Sequence, residues 1–89
     1  MITASKLEAI FAEHGAHFDH VFKSKGTIKI RRGFSYRMGG SPEKLAEKVR
    51  QALSVSGMSE HFEIVSAEEH WPAWPKDRYW EVVLQERQG

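Results

Sequence analysis

The chain of 89 residues contains no cysteine, which excludes disulfide staples and thiolate metal sites and leaves the core alone to hold the fold. Long hydrophobic runs are also missing: no stretch approaches the ~20 apolar residues of a membrane-spanning helix. The opening MITASKLEAIF lacks the basic start and apolar run of a signal peptide. A cytoplasmic protein without a membrane partner is expected. Proline is limited to Pro42, Pro72 and Pro75, and no acidic residue occurs between Asp19 and Glu43.

What is present reads as one globular α+β domain over residues 1–89. Hydrophobic residues make up 40% of the chain and charged ones 28%. A domain of this size buries only about 60% of its unfolded surface, so large aromatics matter to a thin core. Three Trp, two Tyr and five Phe supply them. The net charge of +1 hides an uneven distribution. From His20 to Arg50, nine Lys or Arg stand against two Glu, whereas from Gln51 onward three basic residues stand against seven acidic ones. Such asymmetry points to an anionic partner, or to basic and acidic strands that neutralise each other across one sheet, with Glu63, Glu81 or Glu86 as the counter-charge.

In TASKLEAIFAEHG, the spacing of Leu7, Ile10, Phe11 and His14 predicts a helix ending at Gly15. Two starts fit: a Ser5–Glu8 capping box, or Thr3 as N-cap with Ile2 stapled to Leu7. Lys25-Gly26 predicts a turn between a short strand, about 18–23, and a longer one, 27–38. In the longer run Ile28, Ile30, Phe34, Tyr36 and Met38 alternate with small or basic residues. Arg32 is the misfit, for which a bulge near Arg32-Gly33 is expected. Ser41 as N-cap, Pro42 at the first turn and Glu43 start a second helix, buried through Leu45, Ala46, Val49, Ala52 and Leu53. HFEIVSAEEH and DRYWEVVLQER predict two more strands, the last central because apolar residues lie on both its faces.

The order αββαββ predicts a four-stranded, mostly antiparallel sheet with two helices on one face, or a three-stranded sheet if the short strand fails. It is also a circular permutation of the ferredoxin-like βαββαβ arrangement. His17-Phe18-Asp19 and His61-Phe62-Glu63, each following a helix, are a faint echo compatible with a doubled αββ unit.

The open sheet face is expected to carry Lys29, Arg31 and Arg37 beside Tyr79 and Val83. Together with Lys23 and Lys25, these residues would suit single-stranded RNA or DNA, cations meeting phosphates and rings meeting bases. RGFSYRMG, residues 32–39, resembles the first ribonucleoprotein signature of RNA-recognition domains at Arg32, Gly33, Phe34 and Tyr36. It departs at Ser35, Arg37 and Gly39. The alternation also sends Phe34 and Tyr36 under the helices, where that family exposes them.

HWPAWPKDRYW, residues 70–80, holds every tryptophan of the chain. Trp80 has the parity of the core. Trp71 and Trp74, each followed by a proline, cannot both alternate into a core within so short a connection. They either cap an open end of the core or grip a partner, with Pro72 and Pro75 stiffening the chain. The expected partner-binding set is Trp71, Trp74, Pro75 and Lys76. His14, His17 and His20 match no established zinc spacing, so no metal is expected and His14 reads as a partly buried helix residue. His61, Glu69 and His70 offer acid–base groups, yet no nucleophile, phosphate loop or paired carboxylate accompanies them, so neither catalysis nor a cofactor is expected.

Taken together, KGTIKIRRGFSYRMGGSPEKLAEKV and HWPAWPKDRYWEVVLQ resemble the small accessory proteins of phages and mobile elements, anti-CRISPR inhibitors among them. The resemblance implies a non-enzymatic binder of a host protein or nucleoprotein. The other readings are direct single-stranded nucleic-acid binding and a structural homodimer.

Overall fold

The computed structural model describes residues 2–33, 41–70 and 78–87. Helix α1, Ala4–Glu13, starts from Thr3, whose side-chain oxygen accepts a hydrogen bond from the Lys6 amide at 3.1 Å. Of the two possible starts this is the one adopted, and Ile2 packs against the core as a staple residue would. The helix stops at Gly15, which takes φ +78°. The Ala16 amide then donates to the Phe11 carbonyl and the Gly15 amide to that of Ala12, covering carbonyls that the helix leaves open.

Helix α2, Pro42–Val55, repeats this design with Ser41 capping the Lys44 amide and Gly57 at φ +76° closing the far end. Again two amides turn back, Gly57 to the Ser54 carbonyl and Met58 to that of Leu53.

Four strands follow the helices in pairs: β1 (His20–Ser24), β2 (Thr27–Gly33), β3 (Phe62–His70) and β4 (Tyr79–Glu86). Lys25 and Gly26, at φ +50° and +83°, join β1 to β2. A two-residue turn with both residues left-handed matches the natural twist of a hairpin, and it sets Ser24 opposite Thr27.

β1 begins later than the periodicity suggests, because Phe18 and Asp19 close the end of the hairpin with side chains. Phe18 packs edge-on against Phe11 at 5.6 Å, and the Asp19 carboxylate accepts the Gly33 amide at 2.7 Å.

The sheet order is β1-β2-β4-β3, with every neighbouring pair antiparallel. This is the order obtained by moving the first strand of a ferredoxin-like chain to its end. It also sets the second strands of two αββ units side by side at the centre, as a doubled unit requires.

The expected bulge at Arg32-Gly33 is not there. Pairing of β2 with β4 runs unbroken from Ile28↔Leu84 to Gly33↔Tyr79, and Arg32 stands opposite Trp80, half-buried at the end of the sheet. The register shift falls instead in β3, between Ile64 and Ser66. One extra residue there switches parity, so that Phe62 and Ile64 before it and Ala67 after it all reach the core, while Val65 is left exposed.

Leu7 and Phe11 of α1 and Leu45, Val49 and Leu53 of α2 meet Ile28, Ile30, Trp80, Val82 and Leu84 of the central strands in one buried cluster. Both helices therefore cover the same sheet face, and among the described residues no helix lies on the other. Among the described residues no helix is long and apolar enough to cross a membrane.

Candidate functional site on the uncovered sheet face

Strand alternation decides what the uncovered face displays. With Ile28, Ile30, Trp80, Val82 and Leu84 under the helices, Lys29, Arg31, Tyr79, Glu81 and Val83 must face the other way. The β2–β4 register puts Arg31 directly opposite Glu81.

Glu81 is only 4% exposed, although it is charged. Burial of a carboxylate is tolerable only where cations and donors replace water. Arg31 Nε donates to its Oε2 at 2.5 Å, Lys29 Nζ lies 3.7 Å from Oε1, and His70 Nε2 lies 3.5 Å from that same oxygen. Glu68 stands 3.8 Å from His70 Nε2 on the outer side. The two strand cations thus share one buried anion, which offsets half of their charge.

Planar groups form a ribbon over this carboxylate, one from each strand. The Arg31 guanidinium lies 4.7 Å from the Phe22 ring centroid and 4.4 Å from that of Tyr79. Tyr79 in turn stacks on His70 at 5.0 Å with 15° between the planes. Arg31 approaches Tyr79 from β2 and His70 approaches it from β3, on opposite sides of β4. A guanidinium over an aromatic face contributes about 0.5–2 kcal/mol. The ribbon therefore holds Arg31, and through it Glu81, in one geometry.

Of the residues expected to act, the structure brings Lys29, Arg31 and Tyr79 together. Lys23 stands opposite Ile28, on the helix-covered side of the edge strand, and Lys25 is at the hairpin tip. Both lie apart from the ribbon. Arg37, Trp71, Trp74, Pro75 and Lys76, and most of the stretch resembling a ribonucleoprotein signature, lie outside the described residues. His14 and His17 line a shallow groove beside Lys48 and Val55, away from His20 on β1. Among the described residues no three His, Asp or Glu side chains come together as a metal-ligand set.

Sequence reasoning missed Phe22 and His70 as site members, and it left Glu81 as one of three candidate counter-charges to the basic strand, with Glu63 and Glu86. For Phe22 the signal was available: the two-residue turn fixes Phe22 opposite Lys29 and so on the open face. Glu81 and His70 needed the long-range β2–β4 and β3–β4 registers, which no local pattern encodes.

His70 and Tyr79 stand opposite each other, so residues 71–77 connect the facing ends of β3 and β4. Gly33, the residue before 34–40, is also opposite Tyr79. Both aromatic-rich connections are therefore rooted at the ribbon end of the sheet. Comparison with protein-family models, curated proteins and solved structures finds no match to this chain.

Proposed function

We propose that the protein is a non-enzymatic binding module, of the kind that phage and mobile-element accessory proteins represent, and that it engages a host protein or nucleoprotein. Trp71, Trp74 and Pro75 anchor the partner, while Lys76 and Arg37 steer it. The observation that carries this reading is the rooting of both connections on the ribbon of Phe22, Arg31, Tyr79 and His70. A rigid root lowers the entropy cost of presenting aromatic anchors, and tryptophan is the residue most enriched at interface hot spots.

The arrangement favours a protein contact over direct single-stranded nucleic-acid binding. Phosphate recognition needs uncompensated cations, yet Lys29 and Arg31 share Glu81. Base stacking needs accessible ring faces, yet Tyr79 is flanked by Arg31 and His70.

The test pairs affinity capture from host extract with a titration of labelled single-stranded RNA and DNA at two salt concentrations. Trp71→Ala/Trp74→Ala is expected to lose capture while keeping its circular dichroism spectrum, with neither nucleic acid binding at low salt. Undiminished capture by the double variant would overturn the reading. Salt-sensitive nucleic-acid binding that depends on Lys23, Lys25, Lys29 and Arg31 would replace it with the second one.

A further inference from the structure

We propose that the groove between the end of α1 and the second half of α2 binds a small carboxylate with an apolar body, its headgroup held by the ammonium of Lys48. The groove is formed by the helices and not by the uncovered sheet face, so this stands independently of the partner contact proposed above.

Small residues open the groove. Gly15 ends α1, and a side chain there would meet nothing within 4 Å. Ala16 follows it, and Ala52 of α2 lies on the other side. The resulting space is about 270 Å³. That is just below the roughly 300–1,000 Å³ of pockets for drug-sized molecules, so it suits a short chain or a single ring.

The lining divides into an apolar floor and a polar rim. Phe18 is half-buried and Ala52 buried, while Val55, the last residue of α2, is 55% exposed although it is apolar. A ligand's hydrocarbon part laid on these three would remove that surface from water. His14, His17, Lys48 and Gln51 stand exposed around them. Among the described residues, none of the side chains lining the groove is acidic.

Lys48 supplies the charge. Its neighbours three and four positions away on α2 are Lys44, Leu45, Gln51 and Ala52, so the helix itself offers it no carboxylate. The adjacent Glu47 is engaged by Arg50 at 2.6 Å. Among the described residues no ion pair engages the Lys48 ammonium, in contrast to Lys29 and Arg31, which share Glu81. The imidazoles of His14 and His17 each add an N–H donor even when neutral, and the Gln51 amide adds two. One full charge among neutral donors matches a monoanion better than a phosphate monoester of nearly two charges. A helix C-terminus carries partial negative charge, which would oppose an anion. Here the Phe11 carbonyl already accepts from the His14 and Ala16 amides, and that of Ala12 from Gly15, so these carbonyls do not face the groove unpaired.

Amide chemical shifts of the full chain, titrated with octanoate, octanol and octylammonium, test the proposal. Octanoate should move the amides of residues 14–18 and 48–55 first, with a Kd on the order of 0.1–1 mM for so small a ligand. Octanol should bind there about threefold to fivefold more weakly, and octylammonium more weakly still. Lys48→Gln, on the exposed side of α2, should lower octanoate affinity to that of octanol and leave octanol unchanged. Ala16→Leu, with its fold checked by circular dichroism, should remove the response to both by filling the floor. Absence of shifts at millimolar octanoate would overturn the proposal, as would shifts centred elsewhere in the chain. Equal affinity for octanoate and octanol, or octanoate binding indifferent to Lys48→Gln, would also overturn it.

Discussion

Arg31 and Glu81, fifty positions apart in sequence, meet at 2.5 Å across the centre of the sheet. The contact joins a basic strand to an acidic half of the chain through a carboxylate that water barely reaches. It turns the charge asymmetry of the sequence into an internal pairing at this point, and it governs how the open face behaves.

Glu81→Gln should therefore act on stability and on charge together. The amide keeps the shape but removes the anion beneath Arg31 and Lys29. Because both cations are about one-third exposed (side-chain accessibilities 32% and 29%), the cost is discounted to about 1–3 kcal/mol from what a fully buried broken pair would show. Urea denaturation measures it. The same variant should bind single-stranded RNA at low salt more tightly than the parent chain, since the anion that the two cations share is gone.

Tyr79 separates packing from hydrogen bonding. Tyr79→Phe keeps the ring between Arg31 and His70 and should shift stability by less than about 0.5 kcal/mol. Tyr79→Ala removes the stack on both sides and should cost about 2 kcal/mol. Equal effects of the two substitutions in chemical denaturation would show that the hydroxyl, and not the stack, matters.

Gly57 closes α2 at φ +76° with open space where a side chain would begin. Gly57→Ala is thus penalised by backbone strain and not by a clash, at about 1–2 kcal/mol. In a domain of this size that is a fall of roughly 4–8 °C in Tm per kcal/mol, measurable by thermal circular dichroism.

Phe11 is fully buried between α1 and the sheet and also holds Phe18 edge-on. Phe11→Ala should cost about 3–5 kcal/mol through lost burial and the cavity left behind. Domains of this class have about 5–15 kcal/mol in total, so a measurable unfolded fraction at 37 °C is expected by near-ultraviolet circular dichroism.

Local chemistry made most of the fold legible in the sequence. Ser41-Pro42 marks a helix start, Gly15 marks a stop, and Lys25-Gly26 marks a two-residue turn. The parity of Ile28, Ile30, Trp80, Val82 and Leu84 names the covered face correctly, and β4 is central as its two-sided apolar pattern implies. Legibility ended where partners lie far apart in the chain. Arg32 broke the alternation and suggested a bulge, whereas an arginine at the end of a strand needs none, because its long stem carries the charge past the edge of the core. The real bulge at Val65 hides in FEIVSAEEH, where Ser66 and Ala67 suit either face. Glu81 reads as one of three candidate counter-charges, with Glu63 and Glu86, until the register of β2 against β4 selects it for Arg31 and Lys29.

The meeting of β2 and β4 has a consequence for how the molecule comes apart. Each helix–hairpin unit is assembled from neighbours in the chain, but the seam between the central strands joins segments some fifty residues distant. Forming that seam is the slow, entropy-costly act of folding, since a large loop closes before any contact across it is gained. Opening runs the other way. The outer strands β1 and β3 each have only one ladder to lose, so their amides should exchange with solvent first, while those of Ile30 and Val82, facing each other across the seam, should keep their protons until the whole chain unravels.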